Sequence, residues 1–187
     1  MKIKFRFQYN SPVVLTFALA SLAALLLGML TNGVTTSKLF CVYRSPLSDP
    51  LTYVRAFLHV LGHSGWEHFT GNIMLILVVG PQLEEKYGSK RLLLAILLTA
   101  FVTGLAQCIF FPGVAVLGAS GIVFMMVLLA SMGGMKDGWI PMTFILVTVF
   151  YLGNEIVTAV TSIDNVSQLS HIIGGLCGAG FGFYIGK

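Results

Sequence analysis

Six apolar stretches run along the chain, at roughly 12–30, 66–83, 92–111, 114–132, 140–160 and 167–186, each near the ~20 residues a bilayer-crossing helix needs. The polar positions between them fall into short turns, with one exception. The connection over roughly 31–65 is long, and it carries Pro46, Pro50 and an apolar end from Tyr53 to Leu61. That end is suited to the membrane interface rather than to bulk water. The pattern therefore predicts an all-α polytopic membrane protein with one sizeable outer loop. It shows no soluble domain, linker or low-complexity tract, so residues 1–187 read as a single membrane domain. Lys2, Lys4 and Arg6 precede the first stretch, as in a signal peptide. Its apolar run is longer than a signal core, and no small-x-small cleavage site follows, so it reads as a retained span.

Composition strengthens this picture. The chain is 56% hydrophobic and 10% charged, against roughly 25% charged in soluble domains. Its mean hydropathy is +0.89. A soluble fold of this size could not hide that much apolar surface, so lipid must be the solvent. The net charge of +4 comes from residues at the ends of apolar runs, which points away from nucleic acid. One set of connections holds Lys2, Lys4, Arg6, Lys86, Lys90, Arg91, Lys136 and Lys187, and the other holds Lys38, Arg44 and Arg55. This asymmetry places both termini in the cytoplasm. The compact form points to a bacterial cytoplasmic membrane. Cys41, Cys108 and Cys177 show no metal spacing and no disulfide framework. Cys177 reads as a small core residue, and a Cys41–Cys108 bridge stays open.

Candidate chemistry comes from the polar residues inside the spans. Ionisable and hydroxyl groups in hydrocarbon are costly and are read as functional by default. In the orientation above, the second, fourth and sixth spans all run from outside to inside. His68 and Asn72 lie near the start of the second, Ser120 near the start of the fourth, and His171 near the start of the sixth. At about 1.5 Å per residue they reach a common depth. A serine with a histidine is the minimum kit for nucleophilic acyl transfer. His68 and Asn72 share a helix face and could donate to an oxyanion, along with the backbone near Ser120. Gly118 and Gly121 flank Ser120, and Gly174, Gly178, Gly182 and Gly186 form a smooth ridge sharing the face of His171. His59, His63 and His68 could suggest a metal, yet no H-E-x-x-H is present, which argues against a zinc centre, and His59 reads as structural or interfacial. Thr148, Tyr151, Glu155, Thr158 and Ser162 make one polar stripe on the fifth span. It predicts that Glu155 faces the bundle interior, paired or protonated.

Four ordered motifs give a specific resemblance: His63-x-x-x-x-His68-x-x-x-Asn72, Glu85-x-x-Gly88-Ser89, Gly118-x-Ser120-Gly121 and His171-x-x-Gly174-x-x-x-Gly178. From about residue 53 to 186 the chain resembles the rhomboid intramembrane serine proteases, and the first span fits their six-helix bundle. The resemblance implies Ser120 as nucleophile and His171 as general base, a dyad without an acidic third member. By that analogy Glu155 takes no part in catalysis. The resemblance further implies an oxyanion hole of His68, Asn72 and the Ser120 N–H beside Gly118, with His63 supporting the second span. Arg55 matches the arginine of the family's Trp-Arg pair, with Val54 in the tryptophan's place. Phe124 stands where the family often has tyrosine, and can stack on His171. The implied substrates are single-span membrane proteins cut in or near their membrane helix, with no cofactor and no metal. Two other classes compete. One is a rhomboid-like client-binding protein without catalysis. The other is a small transporter, for which the expected internal repeats are not found.

Overall fold

The computed structural model describes residues 8–135, 138–161 and 166–185, over which the long elements are helices and Val42 pairs with Val116 in an isolated bridge. The helices are α1 (Pro12–Leu30), α2 (Val34–Leu39), α3 (Pro50–Leu58), α4 (Trp66–Tyr87), α5 (Ser89–Phe110), α6 (Ser120–Ser131), α7 (Met142–Val147), α8 (Gly153–Thr161) and α9 (Val166–Ile185). A 3₁₀ turn, His59–Leu61, follows α3, and a π turn, Thr148–Leu152, joins α7 to α8. Among the described residues, three helices are long and apolar enough to cross a membrane: Pro12–Leu30, Ser89–Phe110 and Met142–Ala159.

The helices show which solvent they face. On α5 the buried positions include Ala95, Thr99, Ala100, Thr103, Gly104 and Gln107, while Leu94, Leu98, Phe101 and Ile109 point outward. Small and polar groups inside with large apolar groups outside is the inverse of a soluble helix and fits lipid. On α4, Phe69, Asn72, Ile73, Ile76, Gly80 and Leu83 recur at helical spacing on the buried face, and Met74 and Val78 face out. The chain is a multi-pass helical membrane bundle.

Two close approaches organise it. Gly174 and Gly178 of α9 lie against the Gly121 and Met125 carbonyl oxygens of α6, so a Cβ at either would collide with backbone. Gly182 meets the Met132 side chain, and Gly186 lies outside the described residues. Thus the ridge read from the sequence forms the α6–α9 seam. On the other side, Gly80 of α4 takes the Val14 side chain of α1. The start of α1 is held by a carboxylate: Val13 and Val14 N–H groups donate to the two Glu84 oxygens, both at 3.0 Å. Ser89 also donates to Glu84, at 2.7 Å. Free N–H groups at a helix start attract an anion. The motif that resembled the family placed its acid at Glu85; the residue that makes these bonds is Glu84, and Glu85 is exposed.

Two expectations need correction. The fourth span, read as 114–132, is helical only from Ser120. Pro112 and Gly113 break the chain, and residues 112–119 form an extended strap instead. The strap is pinned by the Val42–Val116 bridge, by Gln107 Nε2 donating to the Val114 carbonyl at 3.0 Å, and by Gly118 N–H donating to the His59 carbonyl at 3.0 Å. The helix that remains is 12 residues, about 18 Å long. Second, the 31–65 connection is not a plain loop, since α2, α3 and the 3₁₀ turn occupy much of it. Arg55 fastens it: its Nη2 donates to Asp49 Oδ2 at 2.7 Å and Ser45 Oγ at 2.8 Å, and its guanidinium lies 4.5 Å from the Tyr43 ring centre. All three cysteines are free.

Candidate active site

Ser120 stands where the strap turns into α6. Gly118 adopts φ +132°, a conformation open to glycine, and lets the chain turn sharply before the helix. Ser120 therefore occupies the first helical position, where N–H groups have no partner within the helix. Neither its N–H nor its hydroxyl is bonded among the described residues. Had the helix begun near residue 114, as the apolar pattern suggested, that N–H would be spent inside the helix.

His171 is brought to the same place by the seam. Gly174, three residues on, sits on the Gly121 carbonyl, and Gly121 in turn lies near the Ser170 carbonyl. The imidazole is fixed on two sides. Its ring stacks on Phe124 with centroids 4.4 Å apart and planes 7° apart, and Tyr151 packs against Phe124 at 4.6 Å. Its Nδ1 lies 2.9 Å from Glu155 Oε2. Only Nε2 remains. Ser120 and His171 line one cavity of about 500 Å³, although no hydrogen bond joins them among the described residues.

The cavity also takes His68, Ser64, His59, Thr103 and the strap through Gly118. His68 lies against Gly118, and a Cβ there would come within 2.8 Å of its Cε1 and Nε2. The Ser64 hydroxyl and N–H reach His68 Nδ1 at 3.1 Å and 3.5 Å. An Nδ1 that accepts leaves the proton on Nε2, beside the strap. Two expected members stand off the cavity wall. Asn72, one turn along α4, is buried, and its Nδ2 has no partner. His63 is buried behind His68, with ring centroids 5.1 Å apart, and its Nδ1 meets the Leu61 carbonyl at 3.1 Å. Burial, with the His68 imidazole nearby, pulls the His63 pKa down to about 4. Among the described residues no three His, Cys, Asp or Glu side chains are grouped as a metal would need.

The sequence reading missed three contributors. His59 had looked structural or interfacial, and it shapes the cavity twice: its carbonyl holds the Gly118 N–H and its ring lines the wall. Burial pulls its pKa to about 4, against the opposing bond to the Arg55 carbonyl. Ser64 precedes α4, so helical spacing within the span gave no signal for it. Gln107 carries no such signal, because its role depends on where the strap lies. The polar stripe on the fifth span does face inward: Thr148, Tyr151, Glu155 and Thr158 are half-buried while Val149, Phe150 and Ile156 are exposed. Ser162 lies outside the described residues.

Comparison with known proteins identifies a family. The rhomboid domain model matches residues 50–187. A 96-residue stretch is 34% identical to Rhomboid-related protein 2 of Mus musculus, covering 47% of this chain and 30% of that protein. The chain thus spans less than a third of the length of that relative.

Proposed function

This chain belongs to the rhomboid family, and from that premise we propose that it is a serine-type endopeptidase working within the membrane. The observation that carries the reading is the pairing at the cavity. A hydroxyl at the free start of α6 shares the cavity with an imidazole whose ring face and Nδ1 are already engaged. In this reading Ser120 Oγ attacks the scissile carbonyl while His171 Nε2 takes the hydroxyl proton. The oxyanion forms beside the Ser120 N–H and the His68 Nε2–H, with the unpaired Asn72 Nδ2 as a third donor. His171 then protonates the leaving amine. Water, deprotonated by the same nitrogen, releases the acyl group and restores the serine. Gly118 keeps the strap close to His68, and His63 backs that ring.

The substrates are single-span membrane proteins cleaved in or near their membrane helix. The bundle crosses a cytoplasmic membrane six times with both termini inside, and the lysine and arginine asymmetry supports this along with a bacterial setting. The runner-up is a catalytically silent rhomboid-like protein that binds membrane clients. One observation favours it: Ser120 and His171 are not hydrogen-bonded. Such bonds often tighten only when substrate is bound, so the protease reading is preferred. Purified protein should be labelled by a serine-directed fluorophosphonate and should cut a reconstituted single-span substrate. Both activities should vanish in Ser120→Ala. Labelling or cleavage that persists in that variant overturns the reading.

A further inference from the structure

We propose that Glu155 is a positioning residue for His171, so that the site works as a Ser120–His171–Glu155 relay rather than a bare dyad. The proposal rests on the protease reading above. Its observation is separate: the Glu155 carboxylate lies 2.9 Å from His171 Nδ1, and both side chains are largely buried, 14% and 18% exposed.

Geometry gives this contact a task. A neutral imidazole carries one N–H, and a carboxylate at Nδ1 holds the proton there. The Nε2 lone pair is then left free in the cavity that Ser120 lines. When Nε2 accepts the serine proton, Nδ1–H keeps its bond and the new imidazolium meets a negative charge. The Phe124 ring prevents the imidazole from tilting out of that plane, and Tyr151, one turn before Glu155, presses on Phe124. The acid and the Tyr151 ring that packs on Phe124 thus come from the same short stretch of helix. Among the described residues that share the imidazole's cavity, α4 presents His68, the 3₁₀ turn presents His59, α5 presents Thr103, and α6 presents Ser120 and Gly121, none of them an acid.

A purely adhesive role for Glu155 is harder to sustain. An amide or hydroxyl could tie α8 to α9 at far lower cost than a carboxyl group in the membrane. The carboxylate is also aimed at the one nitrogen that decides which tautomer faces the serine.

The test uses the full-length protein reconstituted with a single-span substrate, comparing wild type, Glu155→Gln, Glu155→Asp and Ser120→Ala. Glu155→Gln should lose about 10- to 100-fold in kcat with KM nearly unchanged, since it keeps shape but not charge. Glu155→Asp should recover part of the rate. In inactive Ser120→Ala protein, the ¹⁵N signals of the His171 ring should show the proton on Nδ1. If Ser120→Ala is dead while Glu155→Gln keeps the wild-type kcat, the relay is wrong and the protease reading stands. If Ser120→Ala still cleaves, the protease reading falls and the relay with it. Should Glu155→Gln fail to fold, the ring signals decide: a proton on Nε2 in Ser120→Ala overturns the proposal.

Discussion

The α6–α9 seam and the α7–α8 arm both border the cavity, yet they are held in opposite ways. In the seam, backbone meets backbone: Gly174 and Gly178 press on the Gly121 and Met125 carbonyl oxygens, with no side chain between. Most of α6 is buried, from Gly121 to Met126 and again at Leu128 and Leu129. In the arm, only 6% of the membrane-length stretch Met142–Ala159 is buried, against 50% for α5. Among the described residues the arm is attached largely through side chains. Leu152 seats on Gly175, Tyr151 on Phe124, Phe144 on Phe183, and Glu155 on His171. Glycine contacts of the first kind fix distance, because nothing in them can rotate. Contacts of the second kind can be released one at a time. The proposed nucleophile and base therefore ride on the rigid pair, and the carboxylate that completes the base rides on the loosely packed one.

The largest expected effects are on the seam's own side chains. Ser120→Ala and His171→Ala should each abolish cleavage; Ser120→Ala should leave the thermal transition nearly unchanged, while His171→Ala should lower it by removing the partner of the buried Glu155 carboxylate and the ring stacked on Phe124. Members of one catalytic unit are strongly non-additive, so the double variant should be no slower than either single one. Rates falling multiplicatively in the double variant would show two independent contributions instead.

A matched pair of glycines tests the comparison directly. Gly178 sits against the Met125 carbonyl, whereas nothing lies within 4 Å of a Cβ at Gly153 of α8. Gly178→Ala should lower stability by roughly 1–3 kcal/mol, as overpacking does. Gly153→Ala should be neutral or stabilising by up to about 1 kcal/mol, the helix preference of alanine over glycine. Thermal unfolding in detergent reads both. Equal effects would mean that the seam is no more constrained than the arm.

Donors on α4 come next. His68→Ala and Asn72→Ala should slow turnover by about 100-fold or more while changing apparent affinity little, because an oxyanion donor acts mainly in the transition state. Asn72 stands off the cavity wall, so it is the more exposed of the two assignments. If Asn72→Ala turns over at the wild-type rate, its unpaired amide belongs to packing between helices.

Helices and their lipid-facing sides were legible because lipid imposes an apolar run on every spanning element. The six apolar stretches coincide with α1, α4, α5, α6, the α7–α8 arm and α9, with shifted ends. The glycine ridge of α9 and the inward stripe of the arm were legible too, since helical spacing puts each on one face. Hydropathy failed at residues 114–119. Val114, Ala115, Val116 and Leu117 are as apolar as a span, and the strap they form is decided by Pro112, by Gly118 and by distant partners on Val42, His59 and Gln107. The convergence of Ser120, His171 and His68 on one cavity was anticipated from shared depth and from the resemblance. The partnership of Glu155 with His171 was not, because depth along a span says nothing about which neighbour lies across it. Likewise the switch from Glu85 to Glu84 turns on helix phase, which a motif quoted by spacing alone does not fix.

The smallest expected effect lies in the outer loop, held by a third kind of contact. Arg55 is buried but Asp49 is open to solvent, with side-chain exposures of 3% and 36%. The hydrogen bond from Arg55, joined by the Leu51 N–H, keeps the Asp49 carboxyl below its ordinary range. A carboxyl held low stabilises the folded state above its unfolded pKa and loses that contribution as pH falls through the folded value. At pH 7, Asp49→Asn should therefore lower the melting temperature slightly. The difference should shrink as acid protonates the wild-type carboxyl, and also in salt of about 1 M, where exposed pairs are screened. Arg55 keeps Ser45 Oγ and the Tyr43 ring in the variant, so the loop should stay in place. Limited proteolysis of residues 31–65 checks that. A loop that becomes readily cut in Asp49→Asn would show that the ion pair, rather than burial of Arg55, anchors this side of the bundle.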